Sequence, residues 1–281
     1  MTHLHGRDVA YRDLPGTGVP VLLVHGMGSS MATWGDVPER INAAGPRVVL
    51  VDLPGHGNSS RERGDYSLGS LASTLRDLLD YLDIPVVNLV GHSLGGGISM
   101  QFSYQFPERV ASLVLESSGG LGAETFAGLR AASLPGSEIA IGWAINPRTL
   151  AGATWIGERL ARVGFTPHAL SPRALETVSY LAEKDRRAAF LATLRSVVSP
   201  RGQRVSALDK LPLMPGGRVL IIWGDRDPMI PISHGRQAHD VLPGSRFVVF
   251  PGATHESHAH DPERFAGLVV EHVTSAAAVA S

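Results

Sequence analysis

No cysteine occurs among the 281 residues, which removes disulfides, thiolate metal sites and a cysteine nucleophile together. No apolar run approaches the roughly 20 residues needed to cross a bilayer. Met1 to Asp13 is polar and charged throughout, without an apolar centre, so it does not read as a secretory signal. Neither sign of charge is in excess: 25 Lys and Arg against 26 Asp and Glu leave −1, and no basic run resembles a nucleic-acid tract. These absences predict a soluble cytoplasmic protein with no nucleic-acid partner and no membrane span. Internal repeats are lacking too, so the length fits one large α/β domain, or a core domain with a smaller insertion.

What is present centres on Val86 to Gly97. Strand-forming residues end in Gly91-His92-Ser93-Leu94-Gly95 and a helix-compatible segment follows from Ile98 to Phe106. That is the G-x-S-x-G pattern in a strand–turn–helix setting, a nucleophile elbow. A serine lifted clear of a sheet needs a turn so tight that Gly91 and Gly95 must flank it. The helix behind it aims backbone N–H groups at the reacting centre.

Around this stretch, buried-strand runs alternate with helical spacing. His3 to Tyr11, with a turn at Gly6-Arg7-Asp8, predicts an edge hairpin. Val19 to Val24, Arg47 to Leu53, Val110 to Leu115, Arg218 to Trp223 and Arg246 to Phe250 read as strands covered on both faces. Leu68, Leu71, Leu75, Leu78, Leu79 and Leu82 mark one amphipathic helix, and a shorter one is expected from Trp34 to Ala43. Asp261 caps a closing helix with Pro262 at its first position, running to Thr274, with Ser275 to Ser281 frayed. Between about Leu121 and Leu211 the alternation stops. Helical pieces at Phe126 to Ala132, Trp155 to Val163, Pro172 to Glu183 and Arg187 to Val198, with no convincing strand, predict a helical insertion over the cleft.

Five motifs in order, His25-Gly26-Met27-Gly28, Asp52-Leu53-Pro54-Gly55-His56-Gly57-Asn58-Ser59, Gly91 to Gly96, Trp223-Gly224-Asp225-Arg226-Asp227 and Gly252-Ala253-Thr254-His255, resemble the α/β-hydrolase fold family. The resemblance implies a mostly parallel eight-stranded sheet with helices on both faces. Residues 1–120 and 212–281 would form the core, with a helical cap at 121–211. It also implies Ser93 as nucleophile, Asp227 as the acid of a catalytic triad and His255 as general base. The implied oxyanion-hole donors are the amides of Met27 and Leu94.

Each choice has a rival. Asp225 lies two residues before Asp227 and in an extended loop points the other way. Glu116 ends the strand after the elbow, where some relatives keep their acid; here it reads first as a surface or hinge carboxylate. His255, His258 and His260 crowd together, but no matching carboxylate or cysteine set makes them a metal site. His25 and His56 read as structural hydrogen-bonders, His92 as either a packed or a cleft-lining residue, and Asp52 as a brace for its loop.

The fold hosts many reactions. A serine at the elbow disfavours the aspartate-dependent epoxide hydrolases and haloalkane dehalogenases. Ring-fission carbon–carbon hydrolases usually carry a diglycine-proline loop and a cap arginine; here Ser29-Ser30 follow Gly28, with Arg148 or Arg173 as possible substitutes. Phe126, Ile139, Ile141, Trp143, Ile145, Trp155 and Phe165 could furnish an apolar lid or pocket. The expected activity is a carboxylesterase-like serine hydrolase acting on a small or medium apolar ester through an acyl-enzyme, without metal or organic cofactor. The alternatives are a carbon–carbon hydrolase, an acyltransferase or thioesterase, and a hydrolase-fold receptor.

Overall fold

In the computed structural model, which describes residues 1–62, 64–162, 178–214 and 218–280, the buried apolar runs lie side by side in one sheet. The chain begins with β1 (Thr2–Leu4), β2 (Arg7–Val9), β3 (Tyr11–Leu14) and β4 (Thr17–Val24). A 3-10 turn at Met31–Trp34 leads to α1 (Val37–Ala43), β5 (Pro46–Val51), α2 (Leu68–Tyr81), β6 (Val87–His92), α3 (Leu94–Gln105) and β7 (Val110–Glu116). Next come α4 (Ala127–Ala132), α5 (Ser137–Ala144), α6 (Pro147–Arg162), α7 (Lys184–Val197), β8 (Val198–Ser199) and β9 (Gly202–Gln203). The last elements are β10 (Val219–Gly224), α8 (Ile232–Val241), β11 (Arg246–Phe250), α9 (Ser257–His260) and α10 (Pro262–Ala280).

The main sheet has seven strands, not eight, in the order β11-β10-β7-β6-β4-β5-β3. All pair parallel except β3, which runs antiparallel to β5. The first two strands form a separate hairpin whose turn is His5-Gly6, one residue earlier than the sequence suggests. Both turn residues have positive φ, 47° and 80°, the left-handed pair that a two-residue hairpin loop requires. Ala10 then leaves the hairpin: its N–H donates to Ser59 Oγ and its carbonyl accepts from Asp52 N.

Alternation along each strand builds two cores. Leu22, Val24, Val49, Val51, Leu89, Leu113, Leu115 and Trp223 face Leu71, Leu75 and Leu78 of α2 and Ile98 and Phe102 of α3. Their neighbours Val21, Leu23, Val48, Leu50, Val90 and Val114 face Val37 and Ile41 of α1 and Phe265 and Val269 of α10. Ser67 caps α2 by accepting from Ser70 N. Asp261 caps α10 by accepting from Arg264 N at 3.0 Å.

Between β7 and β10 the chain builds a small core of its own, Phe190, Leu191, Leu194 and Val198, against which Met27, Leu129 and Ile141 pack. Contrary to the strand-free expectation, this stretch holds the β8–β9 hairpin, paired Val198↔Gln203 and Ser199↔Gly202. The first half of the helix predicted from Pro172 lies outside the described residues, as does Phe165; its second half holds a 3-10 turn at Tyr180–Ala182. Phe126, Ile139, Trp143 and Trp155 are exposed and line no cavity around the elbow. No described helix is long and apolar enough to cross a membrane.

Candidate functional site

The elbow is built by contact between backbones. A Cβ on Gly91 would meet Gly95 O and one on Gly95 would meet Val24 O, at 2.4 and 2.1 Å, distances no side chain tolerates. Between them Ser93 has φ 54° and ψ −115°, a region that costs a non-glycine residue roughly 1–3 kcal/mol. Ser93 N donates to Glu116 O, and Ser93 O accepts from Gly96, Gly97 and Gly119. These bonds pin the serine between β7 and the first turn of α3.

Asp227 follows β10 and His255 follows β11, so parallel pairing brings both to the edge of the sheet where Ser93 stands. His255 Nδ1 donates to Asp227 Oδ2 at 2.8 Å, and the Asp227 side chain is excluded from solvent. Its other oxygen accepts from Met229 N and Ile230 N, at 2.8 and 3.0 Å. Burial pushes the Asp227 carboxyl up, but the hydrogen bond and charge of His255 and the two amides outweigh it and hold it below the usual range. Asp225, the rival acid, is exposed and accepts from Gly252 N at 2.7 Å. It braces the turn before His255 and takes no part in the carboxylate–histidine pair.

Ser93 and His255 are joined through His92. The His92 Nε2 donates to His255 O at 3.0 Å, and the two rings lie 4.8 Å apart. Among the described residues Ser93 Oγ makes no hydrogen bond to His255, a looseness common before substrate binds. The Gly26-Met27 loop closes on the serine: a Cβ on Gly26 would stand 3.2 Å from Ser93 Cβ. Neither the Met27 nor the Leu94 amide is spent on a turn or loop bond within the described residues. An apolar cavity of about 60 Å³ opens at Ser93, walled by Met27, Leu94, Leu129, Val198 and Ile230 among others.

Buried histidines support these loops. His25 accepts from Leu53 N and donates to Gly26 O, and His56 donates to Pro54 O. Burial lowers His25 to about 4 and His56 and His92 to about 3, so all three are neutral at pH 7. Asp52 accepts from Met31 N and Asn58 N, which braces its loop as expected. Tyr180 OH donates to Gly55 O at 2.6 Å, tying the stretch between β7 and β10 to a loop nearby.

Glu116 overturns its reading as a surface or hinge carboxylate. It is fully buried and accepts from both the backbone N and the Nδ1 of His258, at 2.8–2.9 Å. The signal in the sequence was a charge ending an otherwise apolar strand run. Its partner is invisible there, 142 residues away. His260 is exposed, and no three described His, Asp or Glu residues gather as metal ligands. Arg148 is exposed and lines neither the cavity at Ser93 nor the neighbouring cleft, and Arg173 lies outside the described residues.

Comparison with known proteins gives the same fold. The family profile of the alpha/beta hydrolase fold matches residues 19–262. An uncharacterised protein of Mycobacterium tuberculosis is 40% identical over 269 residues, covering 95% of this chain and 78% of its own. A 2-hydroxy-6-oxo-6-phenylhexa-2,4-dienoate hydrolase of Burkholderia cepacia is 26% identical, covering 91% of this chain and 88% of its own. A thermophilic esterase from Thermogutta terrifontis superposes with a TM-score of 0.71 at 24% identity, over 98% of this chain and 96% of its own. The parallel sheet, the serine at a strained strand-to-helix turn and a match spanning most of the sequence have one common explanation: this chain belongs to the α/β hydrolase fold family.

Proposed function

We propose that the protein is a serine hydrolase that cleaves esters of short acyl groups through an acyl-enzyme. Ser93, Asp227 and His255 act as nucleophile, acid and base, and residues 121–211 form a cap over the cleft. The observation that carries the reading is the 2.8 Å bond from His255 Nδ1 to a solvent-excluded Asp227, at the sheet edge where Ser93 is held in a strained turn.

The bond fixes the tautomer, leaving His255 Nε2 free to accept the Ser93 proton as Oγ attacks the ester carbonyl. The tetrahedral oxyanion is received by the Met27 and Leu94 amides, each worth about 3 kcal/mol of transition-state stabilisation. His255 then returns the proton to the leaving alkoxide. Water activated by the same imidazole splits the acyl-enzyme and restores Ser93.

Cavity size favours a short acyl group over an aryl ketone. An apolar cavity of about 150 Å³ suffices for benzene, and the one at Ser93 is about 60 Å³.

The test is a fluorophosphonate probe together with p-nitrophenyl esters of increasing acyl length, on the wild type and Ser93→Ala. Labelling and turnover that both vanish in Ser93→Ala are expected. A folded wild type that neither labels nor turns over would sink the triad.

A further inference from the structure

We propose that Glu116 and His258 are positioning residues for His255, forming a second carboxylate–histidine pair that locks the base's loop to β7, the strand whose end holds the backbone of Ser93. The inference rests on the reading of His255 as the base. Glu116 touches both sides. Its backbone oxygen accepts from Ser93 N, while its carboxylate accepts from the backbone N and the Nδ1 of His258, three residues beyond His255.

His258 is doubly protonated in this setting. Nδ1 faces a carboxylate and Nε2 faces the Thr33 carbonyl at 3.2 Å; neither partner can donate, so both ring nitrogens must. Burial alone would discharge the ring, but Glu116 raises His258 above its ordinary value, and His258 lowers Glu116 in return. Trp34 and Phe265 pack on the cation, with ring centroids 4.7 and 5.9 Å away.

Such a pair is a poor device for stability, since desolvating two charges costs about as much as their attraction returns, and apolar replacements often serve as well. Its placement gives it another use. His255 is held by its ring at Asp227, by its carbonyl at His92 and, through His258, by Glu116. The His92 ring lies between, 4.8 Å from His255 and 5.2 Å from His258. Without the third tie the segment after His255 loses its link to β7, and the imidazole loses its register with Ser93.

The decisive variants are Glu116→Ala, Glu116→Gln and the double change Glu116→Met with His258→Leu. In the double variant no buried charge is left unpaired, so it should fold if the single alanine does not. Turnover is read as kcat and KM with a short p-nitrophenyl ester, beside the thermal midpoint and the downfield proton resonance of His255 Nδ1–H.

Glu116→Ala and the double variant should lose on the order of 10- to 100-fold in kcat, with KM within about twofold of wild type. Their His255 resonance should broaden, although the double variant melts like the wild type. Glu116→Gln keeps an acceptor for His258 N and should recover kcat to within about fivefold of wild type. The proposal falls if a folded alanine or double variant keeps kcat within about twofold, if the loss lies in KM, or if the glutamine is no better than the alanine. Should wild-type turnover itself be absent, the His255 resonance still shows whether Glu116 holds that ring.

Discussion

His255 Nδ1 and Asp227 Oδ2 lie 2.8 Å apart, whereas Asp225, two residues earlier, turns away to hold Gly252 N. Replacing Asp227 by Asn puts an amide donor against Nδ1, favours the wrong tautomer and should lower kcat by roughly 10³–10⁴-fold. Asp225→Asn retains an acceptor for Gly252 and should stay within about threefold. Steady-state kinetics of the two variants side by side assign the acid.

The acyl cavity gives a second expectation. Activity against straight-chain esters should peak at a short acyl group and fall about tenfold or more for each methylene that no longer fits. Leu129→Ala or Val198→Ala, each removing part of the cavity wall, should move the optimum longer while fluorophosphonate labelling persists. An unchanged length profile would mean that the acyl group lies elsewhere.

Acid stability follows from the buried neutral histidines. His25 at about 4 and His56 and His92 at about 3 stand below the ordinary 6.5, so the unfolded chain binds more protons below pH 6.5 and stability falls with pH. At pH 5 each costs about 2 kcal/mol, together about 6 kcal/mol. His258 acts in the opposite sense: its folded value is raised, so its contribution is present below 6.5 and is lost as pH rises through that folded value. Urea unfolding from pH 5 to 9 should therefore show a maximum near neutrality with a steep acid side.

Two glycines should respond oppositely to alanine. At Gly95 the new Cβ would sit 2.1 Å from Val24 O, which should dismantle the elbow and abolish labelling. At Gly267, inside α10 with nothing within 4 Å, it should stabilise the helix by roughly 0.5–1 kcal/mol. Thermal melts of both variants check the contrast.

The elbow and the buried sheet were legible in the sequence because their causes are local: a glycine clash within five residues and short unbroken apolar runs closed by turn residues. The β8–β9 hairpin was not, since strands of two residues across Ser199-Pro200-Arg201-Gly202 have no period to read. The eighth strand was expected from the resemblance, but the His5-Gly6 turn pairs the first two strands with each other. Glu116 was read as a surface or hinge carboxylate, and His258 was noticed but given no role. Their meeting is a product of β7 and the loop after β11 converging from distant parts of the chain, and nothing near either residue encodes it.

The sheet order also sets when the site can exist. Ser93 directly follows β6, an interior strand flanked by β4 and β7, all synthesised within the first 120 residues. Asp227 and His255 arrive with β10 and β11, which dock last, at one edge. Ser93 is therefore synthesised well before the imidazole of His255, and the two share a folded surface only once the edge strands have docked. The three residues proposed as the triad thus come together only when the final strand is in place.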